Sequence, residues 1–298
     1  MDRVTNQEFN EFRYNRKHID PKIRSAILIN PEMMEKVEEG IVKLNAYING
    51  TYYESKMNRV SQLKGTDLKE LILDVFVGVA YCQTPELFTS VTAQLAGRLG
   101  FSDKTEAITT VAEITAVLCY TNAFDIFKKD KYDSLWVKST IPLSDNLVDW
   151  IIHSQYLPPM VCEPRELSSN YSSGYLTHND SLILGNGNHH DGDLCLDVLN
   201  TLNQVKLKLD TEFLSKHEEL PTFEFETPDQ RIQWDTFKKQ SYRFYSLIES
   251  QGNELWFTHK VDKRGRIYSQ GYHIQYQGTA FKKAMVELHK EEFITGVP

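Results

Sequence analysis

The sequence is poor in cysteine, has no long apolar run and carries no excess of positive charge, and each shortage closes off a class of protein. Its four cysteines, Cys82, Cys119, Cys162 and Cys195, stand 37, 43 and 33 residues apart, which fits neither a zinc knuckle nor a redox Cys-x-x-Cys pair. All four lie in apolar sequence and are expected to be reduced, buried thiols. The longest apolar stretches, such as 71–82 and 112–119, run for about 10 residues, against the roughly 20 that a membrane-spanning helix needs. The opening Met1-Asp2-Arg3-Val4-Thr5-Asn6-Gln7-Glu8 lacks the apolar core of a secretory leader and carries acids too early for a transit peptide. The expectation is a cytoplasmic protein with no membrane partner. With 33 Lys plus Arg against 41 Asp plus Glu the net charge is −8, so a general affinity for nucleic acid is not expected. What remains is ordinary globular composition, 41% hydrophobic and 25% charged, over a length that serves one domain or two.

Helical patterns fill the first 160 residues. Asn30-Pro31 with Glu32 and Glu35 supplies a cap, a proline at the first helical position and acids in the first turn, and predicts a helix reaching Gly50. Asp67 leads Leu68, Leu71, Ile72, Val75, Phe76 and Val79, one apolar helix face. A further helix is expected to open at Pro85, carry Leu87, Phe88, Val91, Leu95 and Leu99 inward and stop at Gly100. Ser102 is the expected cap of the next, running to Tyr120, and Ser144 of another, running to Tyr156. Pro, Ser, Gly and Asn then dominate 158–193, with a hairpin expected at Asn186-Gly187. Beyond it the pattern predicts helices over 194–216 and 228–250, strands over 255–259 and 266–269 around a Lys263-Arg264-Gly265 turn, and a last helix over 279–289. The aromatic residues from Trp234 to Tyr245 follow helical periodicity and read as packing. His189, His190, Asp191 and Asp193 lack metal-ligand spacing and read as a loop.

Charge is concentrated in one place. From His259 to Lys283 there are six bases, Lys260, Lys263, Arg264, Arg266, Lys282 and Lys283, and one acid, Asp262, a local +5 that leaves −13 elsewhere. Such a strip on an acidic chain suits one dedicated polyanion site. Tyr268, Tyr272, His273 and Tyr276 interleave with it, and arginine forks with aromatic rings are what phosphates and bases require. A solvated charged face has the same composition.

Within the strip, Val261-Asp262-Lys263-Arg264-Gly265-Arg266-Ile267-Tyr268, followed by Gln277-Gly278 and Lys283-Ala284, resembles the D-x-R-G-R-x-Y … Q-G-x-D-x-x-K-A block of the single-subunit RNA polymerases of bacteriophages and mitochondria. Upstream, Leu157-Pro158-Pro159-Met160-Val161, Pro164 and Ser173-Gly174-Tyr175 resemble that family's P-P-M-V … P … W … G-G-Y segment. Between the two, Leu199-Asn200, Asn203-Gln204, Leu207, Leu209-Asp210 and Phe213-Leu214 resemble the start of its thumb. Leu167 stands in place of the tryptophan, Ser173 in place of one glycine, and Ala280 in place of an acid.

The resemblance implies a mainly α fold with a small α+β C-terminal part: a helical N-terminal domain with connector (1–193), a helical thumb (194–252) and the beginning of a palm (253–298). It implies a nucleic-acid-binding set of Lys263, Arg264, Gly265, Arg266, Tyr268, Gln277 and Lys283. In that set Arg266 holds template or RNA–DNA hybrid, Arg264 and Lys283 support it, and Gly265 permits close approach. Two-metal nucleotidyl transfer needs converging carboxylates, and no aspartate follows Asp262. The implied function is therefore a subunit of a DNA-directed RNA polymerase, inactive alone and without catalytic or metal-binding residues of its own. A larger partner carrying fingers and catalytic palm would hold Mg²⁺, with template DNA and RNA product as the other partners, in the cytoplasm of an infected bacterial host if phage-encoded. The alternative is a stand-alone nucleic-acid-binding or regulatory protein derived from a polymerase fragment.

Overall fold

A computed structural model describes residues 2–97, 101, 103–129, 134–154, 156–185, 187–226, 228–290 and 296. The chain divides into two compact units, one formed by Arg16–Ile152 and the other by Met1–Asn15 together with His153–Pro298. Residues 153–193, expected with the helical N-terminal part, thus belong to the same unit as the charged strip.

The second of these units starts with α1 (Arg3–Tyr14), capped by Asp2, whose carboxylate accepts from Thr5 N at 2.8 Å. This helix buries Gln7, Asn10, Glu11, Arg13 and Tyr14 while Val4, Phe9 and Phe12 stay exposed, so its inward face is mostly polar, the reverse of the usual amphipathic arrangement.

The Arg16–Ile152 unit contains α2 (Arg16–Ile29), α3 (Pro31–Ile48), α4 (Glu54–Ser61), α5 (Leu68–Val79), β1 (Glu86–Leu87), α6 (Phe88–Ala96), α7 (Lys104–Cys119), β2 (Phe124–Lys128), β3 (Leu135–Ser139) and most of α8 (Asp145–His153). The expected cap at Asn30 accepts from Met33 N, and Asp67 caps α5 in the same way, accepting from Glu70 N. One core joins Met33, Val37 and Leu44 of α3, Ile72 and Phe76 of α5, and Ile114 and Leu118 of α7. Each such buried side chain contributes about 1.5–3 kcal/mol. Two expectations are corrected. Glu86-Leu87 does not open a helix; it pairs antiparallel with β3, so α6 starts at Phe88. Residues 124–128 and 135–139 are not helical but pair as antiparallel strands that set Phe124 opposite Ser139 and Ile126 opposite Val137, with Phe124 and Val137 fully buried. Asp103 caps α7; the expected features at Leu99, Gly100, Ser102 and Asn186 lie outside the described residues. Ser144 Oγ accepts from Leu147 N at 3.4 Å, and the helix it begins is described to His153.

The remainder of the other unit holds α9 (Leu196–Asn203), β4 (Leu207–Leu209), α10 (Thr211–Lys216), α11 (Pro228–Ser250), β5 (His259–Val261), β6 (Ile267–Ser269), α12 (Ala280–Ala284) and β7 (Val286–Leu288). The single helix expected over 194–216 is broken because residues 207–209 pair with Val286–Leu288 and Leu207 bridges to Leu255. Leu207 and Leu209 run as a strand bracketed by Asn253, whose amide donates to Leu209 O and whose oxygen accepts from Leu209 N. Asp210 then caps α10. The helix expected to 289 ends at Ala284, since Val286–Leu288 pairs antiparallel with β4, with Lys208 and Glu287 bridged at 3.3 Å. In place of a strand over 255–259, Leu255 and Trp256 make single bridges to Leu207 and Met160, and the regular ladder starts at His259. Among the described residues the fold is mainly α with three small sheets. Cys82 and Cys162 are buried and Cys119 half-buried, whereas Cys195, expected inside, is exposed at the start of α9. Among the described residues no helix is long and apolar enough to cross a membrane.

Candidate nucleic-acid interface

The charged strip forms a tight β-hairpin, with His259 opposite Ser269 and Val261 opposite Ile267. Its turn is organised by Asp262. The backbone closes it through Asp262 N to Arg266 O and Gly265 N to Asp262 O, both 2.9 Å. One carboxylate oxygen of Asp262 accepts from Arg264 N (2.9 Å) and Arg266 N (3.0 Å). The other accepts from Arg264 Nε and Nη2 (3.2 and 3.1 Å) and from Arg266 Nε (2.8 Å), with Tyr268 OH at 3.5 Å. The Arg266 backbone amide and its guanidinium hold this carboxyl below the usual carboxylate range. Asp262 is thereby occupied with turn and arginines, as carboxylates in turns commonly are.

Gly265 sits at φ +83°, and a Cβ there would meet nothing within 4 Å. Its requirement inside this chain is the left-handed backbone, not close packing. Arg264 and Arg266 stay 70% and 52% exposed at their side chains despite the shared carboxylate, and the Arg266 guanidinium lies 5.6 Å from the Tyr268 ring centre. Lys263 is exposed at the tip. Gln277 is spent on structure: its oxygen accepts from Ser269 N at 2.8 Å and its amide donates to Ile267 O at 3.2 Å, sealing the outer edge of β6. Lys283 is exposed on α12, and no described bond ties it to the hairpin.

The local +5 of the sequence shrinks on folding. Lys260 pairs with Asp180 at 2.9 Å. Lys282 is buried, donating to Tyr272 O at 2.7 Å and lying 5.2 Å from the Phe237 ring, and burial lowers its pKa. Four exposed bases, Lys263, Arg264, Arg266 and Lys283, remain against Asp262, a net +3. The interleaved aromatics also divide. Tyr272 stays 40% exposed and stacks on Tyr156 at 3.7 Å. His273 is interior, bonded to Ser241 Oγ at 2.8 Å, its pKa lowered to about 4 by burial and the Lys282 charge. Tyr276 OH bonds His259 Nε2 at 2.6 Å, while His259 Nδ1 meets Asn203 Oδ1 at 2.8 Å. An amide oxygen only accepts, so His259 donates from Nδ1 and its Nε2 accepts a hydrogen bond from the Tyr276 hydroxyl; burial lowers its pKa to about 4.

The three motif blocks converge behind this hairpin. Met160 and Trp256 exchange backbone bonds at 2.9 and 2.8 Å, Leu207 and Leu255 exchange two at 2.9 Å, and Val261 bonds both Leu182 O and Leu184 N at 2.8 Å. Gly174 is demanded by packing, since a Cβ would fall 2.5 Å from Thr258 Cγ2 and 2.9 Å from Pro164 Cβ. Leu167 is buried with Leu182, Leu199 and Val261, and Asn200 clamps its backbone N–H and C=O at 2.8 and 3.0 Å. Ser173 Oγ accepts from Tyr175 N at 3.2 Å. From α1, Gln7 bonds Val161 N at 2.8 Å, and Glu11 accepts from Leu176 N and Thr177 N, both at 2.8 Å. Sequence reasoning missed these supports: Asn200 and Asn203 stood inside a quoted motif, whereas Gln7 and Glu11 stood in none.

Among the described residues no group of three or more His, Cys, Asp or Glu is placed to hold a metal ion. Asp191 accepts instead from Tyr171 OH at 2.7 Å, and the carbonyls of His190 and Gly192 take the Asn170 amide.

No family model matches the chain. It is 24% identical over 151 residues to a probable DNA-directed RNA polymerase of Gelasinospora sp. (strain G114), a similarity covering 48% of this chain and 18% of the relative. The chain thus spans under a fifth of the length of the curated relative it matches. At this level the similarity supports an RNA polymerase relationship and hints at a role in transcription.

Proposed function

We propose that this chain is the nucleic-acid-gripping part of a DNA-directed RNA polymerase of the single-subunit type, in which the 262–266 hairpin tip holds template DNA or the RNA–DNA hybrid. The observation that carries this reading is the placement of Arg264 and Arg266: two half-exposed guanidinium groups oriented by one carboxylate on a rigid turn, backed by the other two motif blocks. Part of each guanidinium is already oriented by Asp262, and the remaining N–H donors suit phosphate oxygens with little ordering cost on binding. Lys263 and Lys283 add charge that draws a polyanion without fixing its register, and Tyr268 supports the Arg266 guanidinium from one side. Gln277 acts as a positioning residue that keeps β6 in place.

The residues present do not suit Mg²⁺. Asp262 is engaged by two arginines, and no other carboxylate cluster is available among the described residues. We propose that carboxylates on another, larger polypeptide carry out two-metal nucleotidyl transfer, and no chemical step is assigned to this chain. Among the described residues β7 pairs with β4 alone, and a strand edge without a second neighbour invites pairing by another chain.

The test is RNA extension on a preassembled RNA–DNA scaffold with Mg²⁺ and nucleotides, using this chain, the candidate catalytic polypeptide, and both together. Extension only with both is the expected result. Full activity of the catalytic polypeptide alone would make this chain a regulator instead.

A further inference from the structure

The segment joining α10 to α11 has a pattern that nucleic-acid binding does not use. Residues 217–229 contain five acids and no lysine or arginine. Among them stand large apolar side chains turned to solvent: Leu220 is 74% exposed, Phe223 51% and Phe225 37%, with Ile232 at 63% on the adjoining turn of α11. Scattered single exposures are ordinary, but four large apolar side chains exposed between residues 220 and 232, two of them in ring contact, fit an interaction site.

The segment is held in place. Glu219 is buried and takes a bond from Thr279 Oγ1 at 3.2 Å. Glu218 pairs with Lys238 at 2.7 Å, and Glu226 N donates to Gln230 Oε1 at 2.6 Å. The Phe223 ring meets Phe225 and Trp234 edge-on at 5.7 and 6.3 Å, and Trp234 leans on Phe237 at 5.2 Å. Pro221 and Pro228 further limit the backbone. An apolar platform fixed by tethers at both ends, rather than folded inward, is prepared to receive something.

We infer that this strip is a docking surface for a protein partner whose own face is apolar and rimmed with lysine or arginine. The argument is charge complementarity: Glu224 and Glu226 lie among the exposed side chains, so a basic rim is attracted and a phosphate backbone repelled. The same acids argue against base stacking on Phe223 and Trp234, which would bring phosphates alongside carboxylates. The inference does not rest on the polymerase reading, because it uses no residue of the hairpin.

The experiment titrates the full chain calorimetrically with three probes: a synthetic amphipathic Lys/Leu peptide, its Glu/Leu counterpart, and a single-stranded DNA oligonucleotide. Saturable binding of the Lys/Leu peptide alone is expected, weakened at least about tenfold by Phe223→Ser/Phe225→Ser and equally by Glu224→Lys/Glu226→Lys. The two pairs act through different forces, and both lie on the surface, so circular dichroism of each variant should match the parent. Absence of Lys/Leu binding, or binding indifferent to both variants, overturns the inference. DNA binding lost in the phenylalanine variant would make the strip a base-stacking surface, and loop-dependent self-association in sedimentation would make a second copy the occupant; either also overturns it.

Discussion

Replacing Glu11 by glutamine should loosen the clamp between α1 and the segment behind the hairpin. Glu11 is fully buried and accepts from Gln7, Leu176 N and Thr177 N, with the Thr177 hydroxyl and His178 alongside. Burial by itself pushes its carboxyl up, but the bonds from His178, Thr177, Gln7 and Leu176 outweigh it and hold the group down at about 2 against an ordinary 4.5. A difference of that size corresponds to about 3 kcal/mol of stability at neutral pH. Because the folded value is the lower one, this contribution is fully present above 4.5 and is lost as pH falls from there towards 2. The amide of glutamine would set an N–H against the donors of Leu176 or Thr177, so Glu11→Gln forfeits most of it. The assay is hydrogen exchange at the Leu176 and Thr177 amides, where exchange by local opening should be about 100-fold faster in the variant at neutral pH. The difference should narrow as the parent is taken below 4.5. Unchanged protection at both amides would refute the reasoning.

Gly174→Ala should destabilise its unit by about 1–3 kcal/mol through overlap with Thr258 and Pro164; Thr258→Ser, which removes the nearer methyl, should restore part of this in a double-mutant cycle of denaturant unfolding. Gly265→Ala meets no atom and should cost only about 1–2 kcal/mol of backbone strain, seen as faster exchange of the Gly265 and Arg266 amides with the rest of the unit unchanged. His259 is neutral in the fold, with its pKa lowered to about 4 by burial, so its share of stability falls as pH drops from 6.5 to 4. A nuclear magnetic resonance titration of its ring should show a midpoint near 4, and one near 6.5 would contradict the Asn203–His259–Tyr276 arrangement.

What the sequence made legible was local and periodic. The stripe of Leu71, Ile72, Val75, Phe76 and Val79 and the cap at Asn30 are set by neighbours within a turn or two, and they fold as read. Helix α11 and the 263–265 turn likewise follow from proline, glycine and short-range spacing. The short strands were hidden because their partners lie far along the chain: Leu207–Leu209 owes its conformation to Val286–Leu288 and Leu255, and three residues of alternation do not overcome a helical background. In the basic strip, counting charges could not distinguish Lys260, neutralised by Asp180, or Lys282, buried beneath Tyr272, from the exposed Arg264 and Arg266. The burial of Glu11 was invisible because its value lies in donors more than 150 residues away.

The central claim is that the hairpin tip grips nucleic acid through Arg266. Its most direct measurement is the affinity of this chain for an RNA–DNA hybrid across a range of salt concentrations, compared with that of Arg266→Ala. The account predicts that the variant stays folded, binds more weakly, and loses about one from the slope of log affinity against log salt, as removal of a single phosphate contact requires. Equal affinity and an equal slope would contradict it.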